Sequence, residues 1–90
     1  MITKRDIGRW VRIRFFDHCI TNQRTGKKKP IECEVAGMIR EVDNLRVVLA
    51  TWWINGEDKK TQRENAERFE IVRSCIIAYG WTEVLKWYDD

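Results

Sequence analysis

The sequence predicts a mainly β protein: one small five-stranded barrel spanning residues 1–90, with a short helical turn in the 55–68 loop or in the C-terminal tail. Three observations carry this. Apolar and polar residues alternate with period two over Arg9–Cys19 and Ile31–Val42, the spacing of half-buried strands. Asp43-Asn44 sits between two apolar runs as a tight hairpin turn, where both residue types tolerate positive φ. Ninety residues with five Trp, three Phe and two Tyr allow a single thin core filled by large side chains.

In the first strand Val11, Ile13 and Phe15 fall on one side, and Trp10, Arg12, Arg14, Phe16 and His18 on the other. Asp17 interrupts the apolar side and marks a strand end or bulge. Thr21–Pro30 is a loop made basic by Arg24 and Lys27, Lys28 and Lys29. The second strand places Ile31, Cys33, Val35, Gly37 and Ile39 inward. A hairpin symmetric about Thr25 sets Phe15 opposite Val35, Ile13 opposite Gly37, Phe16 opposite Glu34 and His18 opposite Glu32. Leu45–Ile54 is apolar on both faces and belongs in the centre of the sheet. Asn55–Arg68 is a polar loop with a helical turn over Thr61–Arg68. Phe69–Arg73 and Cys75–Trp81 are the last strands, separated by a short interruption at Arg73-Ser74, and Thr82–Asp90 is a tail. The expected core is Val11, Ile13, Phe15, Val35, Ile39, Leu49, Phe69, Ile71 and Ile77.

Strand order, and the segment FEIVRSCIIAY in particular, resembles the closing strands of SH3-like and Sm-like small barrels. The resemblance covers roughly residues 9–81 and implies a barrel. In Sm-like proteins a loop Asp/Asn and the Arg of the last turn contribute to a nucleotide pocket, which points to Asp43, Asn44 and Arg73 here. Ser74 stands where that family has glycine. Those barrels also form rings through edge strands, which implies a homo-oligomer.

Composition narrows the function. A single histidine, His18, leaves no histidine-based acid–base pair, and Cys19, its sequence neighbour, points to the opposite strand face. The expectation is a non-enzymatic protein. His18, Cys19, Cys33 and Cys75 match no zinc spacing, so neither metal nor other cofactor is expected. An odd cysteine count without C-x-x-C suits reduced thiols in a cytoplasm; a Cys19–Cys33 disulfide across the hairpin stays open on geometry. No apolar run is long enough to span a bilayer.

The net charge of +3 conceals an asymmetry. Residues 1–30 hold nine Lys/Arg against Asp6 and Asp17, and the remainder holds eight against twelve Asp/Glu. A strand face that interleaves rings with cations, continued by a basic loop, suits RNA or DNA: clustered cations meet phosphates and rings stack on bases. The candidate nucleic-acid-binding residues are therefore Trp10, Arg12, Arg14, Phe16, Arg24, Lys27, Lys28 and Lys29. The same face has a structural use, in which Glu32 and Glu34 neutralise the arginines as cross-strand pairs. Adjacent strand residues point to opposite faces, so one of Trp52 and Trp53 is expected in the core and the other outside. The alternative function is a protein–protein interaction module using an exposed aromatic patch of Trp52, Trp53 and Ile54. An accessory protein of a phage or mobile element would suit so compact a chain.

Overall fold

The computed structural model describes residues 1–17, 31–82 and 88–89. Five antiparallel strands form one sheet: β1 (Trp10–Asp17), β2 (Ile31–Val42), β3 (Arg46–Trp52), β4 (Glu67–Val72) and β5 (Ile76–Trp81). Their order is β4-β3-β2-β1-β5. The mainly β expectation with five strands is met, but the sheet is not closed into a barrel: β4 and β5 remain its two edges. A one-turn 3-10 helix (Arg73–Cys75) joins them, where the sequence is interrupted by Arg73-Ser74. The helix expected in the polar loop is α1 (Lys59–Asn65). Asp58 caps it by accepting from the Thr61 backbone N–H at 2.9 Å, which satisfies one of the unpaired donors at the helix start.

Coiling of the sheet comes from register shifts in three of its four ladders. They fall at Arg14/Phe15 between β1 and β5, at Ile39/Glu41 between β2 and β3, and at Ala50/Trp52 between β3 and β4. Such irregularities increase local twist. As a result the Phe15 ring on β1 meets Phe69 on β4 with centroids 5.6 Å apart, although the two strands are not neighbours. Val11, Ile13, Phe15, Ile39, Val42, Val47, Leu49 and Ile71 form the core inside this curve, joined by Ile2. Arg73 donates a hydrogen bond to the Ile2 carbonyl and so ties the N-terminal segment to the β4–β5 turn.

Several expectations are corrected. Phe15 pairs with Cys33, Ile13 with Val35, Val11 with Gly37 and Phe16 with Glu32, a shift of two residues from the hairpin drawn about Thr25. Alternation fixes which face a residue takes but not its partner, and a two-residue shift leaves every face unchanged. Phe69 is 37% exposed and Ile77 44%, because both lie on edge strands. Ile77 is the extra residue at the β5 irregularity, so Ile76 packs against the core in its place. Val35 is only partly buried. The β2–β3 connection has three residues, not two, and among the described residues only glycines have positive φ. The turn is held instead by the Asp43 carboxylate, which accepts from the backbone N–H groups of Leu45 and Arg46, both at 2.8 Å. The expectations for His18, Cys19 and the 83–87 tail lie outside the described residues.

Among the described residues all five strands lie in this one sheet, and Val48 and Ala50 are fully buried on its convex face. A charged lattice covers them. Arg46 contacts Glu70 at 2.6 Å, Asp43 at 3.3 Å and Glu41 at 3.4 Å, and Arg68 contacts Glu41 at 2.8 Å. Glu41 and Glu70 are the cross-strand neighbours of Val48, and Arg68 is that of Ala50. Aliphatic stems at neighbouring positions of this kind shield apolar residues while their charged heads stay wet.

Candidate nucleic-acid interface

β1 sends Trp10, Arg12, Arg14 and Phe16 to the convex face because Val11, Ile13 and Phe15 are drawn into the core. Their neighbours follow from the ladders. Arg12 lies between Ala36 and Gly80, and Arg14 between Glu34 and Ala78. These small residues leave the guanidinium groups standing over a shallow depression of about 260 Å³. The two arginine side chains are 57% and 61% exposed.

One carboxylate serves both. Arg12 Nη2 donates to Glu34 Oε2 at 2.7 Å, and Arg14 Nε donates to Glu34 Oε1 at 3.4 Å. The hydrogen bond from Arg12, reinforced by the charges of both arginines, holds the Glu34 carboxyl below its ordinary value of 4.5. The cross-strand pairing expected from the sequence is therefore present at Glu34, while Glu32 lies opposite Phe16, so it is two cations to one anion. The group keeps a net positive charge.

Trp10 does not stand alone. Its ring lies 5.6 Å from that of Trp53, tilted by 41°, and the Arg40 guanidinium sits 5.1 Å from the centre of the Trp53 ring. Arg40 is the cation beside this Trp pair that sequence reading missed. It falls at the β2 irregularity, where simple alternation no longer assigns faces. Phe16 is exposed at the far end of the row, opposite Glu32. Arg24, Lys27, Lys28 and Lys29 lie outside the described residues.

The alternative patch is divided. The expectation that one of Trp52 and Trp53 enters the core is not met. The irregularity at Ala50/Trp52 advances the chain by one residue, so Trp53 packs on Trp10 at the convex face. Trp52 stays 51% exposed, its indole N–H donating to Glu67. Ile54 is exposed as well.

Of the residues implicated by the barrel resemblance, Asn44 and Arg73 share the rim of a cavity of about 630 Å³ whose walls include Ile2, Ser74, Ile76 and Ile77. The Asp43 carboxylate is committed to the hairpin backbone, which holds it below its ordinary value of 3.8, and the Arg73 guanidinium to Ile2.

Among the described residues no three His, Cys, Asp or Glu stand together as metal ligands, and none of the helices is long and apolar enough to cross a membrane. Cys33 and Cys75 are free thiols, each half-buried. Compared with family models, curated proteins and solved structures, the chain matches none.

Proposed function

We propose that the protein is a non-enzymatic nucleic-acid-binding module that engages a single strand across the convex face of β1. The observation that carries this reading is the pair of exposed guanidiniums of Arg12 and Arg14, which share one carboxylate over a floor of Ala36, Ala78 and Gly80. Small neighbours let a backbone approach, and the surplus cation meets a phosphate. The basic residues of the 21–30 segment continue the charge in sequence. The strand order and the 3-10 turn between β4 and β5 support an SH3-like or Sm-like kinship as the architectural frame.

Titration of ten-nucleotide oligo-U and oligo-dT against added salt tests the reading. Replacing Arg12 and Arg14 together by Ala removes the one phosphate contact of their surplus cation and flattens the salt slope by about 0.7 on single strands. Replacing Lys27, Lys28 and Lys29 by Ala weakens binding to all sequences alike. A wild-type protein that binds neither oligomer at low salt refutes the reading. The exposure of Trp52 and Ile54 supports the second reading, a protein-interaction module, whose contact would respond little to salt.

A further inference from the structure

We propose that Glu34 is a built-in competitor for ligand phosphate, which makes the β1 face selective for oligomers over single phosphates. This rests on the nucleic-acid reading above and adds a residue that sets its ligand class.

The geometry is that of an anion already in place. Each Glu34 oxygen accepts from a different arginine, Oε2 from Arg12 and Oε1 from Arg14. Two oxygens of a phosphate between the same guanidiniums would make the same pair of charge-assisted contacts. A role confined to joining β1 to β2 does not need this arrangement. The strands are already paired over eight residues from Trp10↔Met38 to Asp17↔Ile31, and exposed ion pairs add little to stability.

Tethering decides which anions succeed. Glu34 is fixed to the neighbouring strand, so its carboxylate competes at the high effective concentration of an intramolecular group, in the millimolar range or above. A free phosphate or mononucleotide exchanges one anion for another and gains nothing from the trade. An oligomer brings adjacent phosphates and bases together. It can displace Glu34 from one arginine while its neighbouring phosphates meet further cations.

The test compares wild type, Glu34→Gln and Glu32→Gln against ten-nucleotide oligo-U, uridine monophosphate and inorganic phosphate, each across a salt series. Glu32 is the control: an exposed carboxylate on the same face, opposite Phe16 rather than beside the arginines. Glu34→Gln should bind the oligomer about fivefold tighter, the factor one unit charge some 4 Å away contributes in water. Its salt slope should steepen by about 0.7, one further phosphate contact on a single strand. Weak binding of the mononucleotide should appear in that variant and not in wild type. Glu32→Gln should change affinity less than twofold with its slope unaltered. A thermal melt checks that each variant is folded, and Glu34→Ala replaces Glu34→Gln if the latter is not.

If Glu34→Gln binds like wild type or more weakly while the Arg12/Arg14 double variant loses binding, the competitor role is overturned and the nucleic-acid reading stands. An equal gain from Glu32→Gln also overturns it, since the effect is then general charge. If no variant binds the oligomer at low salt, both fall together.

Discussion

Gly37→Ala is expected to destabilise the fold, and the structure sets the size of the effect. A Cβ at Gly37 would lie 2.8 Å from the Ala50 carbonyl oxygen and 3.2 Å from Leu49 Cβ. The nearer obstacle is backbone of β3, held where Met38 pairs with Ala50 and Ile39 with Leu49, so no side-chain rotation relieves it. β2 and β3 must separate at the centre of the sheet. Overpacking of this kind costs about 1–3 kcal/mol, whereas replacing glycine by alanine inside an element gains roughly 0.5–1 kcal/mol from backbone entropy. With a backbone atom as the obstacle the cost falls in the upper part of that range, about 2–3 kcal/mol, so the net loss is about 1–2.5 kcal/mol, or a fall in Tm of roughly 5–20 °C for a domain of this length. Gly80→Ala is the internal control: a Cβ there meets nothing within 4 Å, so only the entropic gain remains and the variant should be as stable as wild type or slightly more so. Urea unfolding followed by tryptophan fluorescence measures both. If Gly37→Ala is no less stable than wild type, or if the two glycines respond alike, the close approach of β2 to β3 is refuted.

Ile13→Ala removes a fully buried side chain from the centre of the core and should cost about 2–5 kcal/mol, a large part of a typical domain's stability, seen as a lowered urea midpoint. Ile77→Ser, at an exposed edge position, should stay within about 0.5 kcal/mol of wild type; a loss as large as that of Ile13→Ala would return Ile77 to the core. Hydrogen bonds from backbone groups, and from Arg12 for Glu34, hold Asp6, Glu34, Asp43 and Asp58 below their ordinary values. Their stabilising contribution is therefore complete above the ordinary values of 3.8–4.5 and is lost as pH falls through the lower folded-state values. Tm should be flat from pH 7 to about 5 and drop below about 4, and Asp43→Ala should make that acid limb shallower.

What the sequence revealed and what it hid have the same origin. In β1 an unbroken alternation gave both faces correctly, with Trp10, Arg12, Arg14 and Phe16 on one side and Val11, Ile13 and Phe15 on the other. Alternation is blind to register, so the partner assigned to each residue was two positions off. It is also blind to an inserted residue. Past Ile39 the inward set of β2 changes from odd to even numbers, with Val42 buried, and Arg40 therefore went unnoticed. The same step misplaced Trp52 and Trp53 on β3, and Ile77 on β5. Ile2 belongs to no periodic run, and only the folded chain brings it against the core. The sharing of Glu34 between two arginines is likewise a matter of register: the expected hairpin placed Glu34 across from Phe16, and the observed one places it across from Arg14.

The charged lattice over Val48 and Ala50 bears on which substitutions this surface tolerates. Salt screens exposed ion pairs, but it does not shorten the side chains that make them. Arg46 and Arg68 act as roofing as much as charges, so raising the ionic strength should leave the convex face as dry as before. Exchange of Arg46 for methionine keeps Val48 out of water although it deletes three ion pairs, while exchange for alanine or serine uncovers it. These positions should therefore tolerate a change or loss of charge, but not a shortening of the side chain.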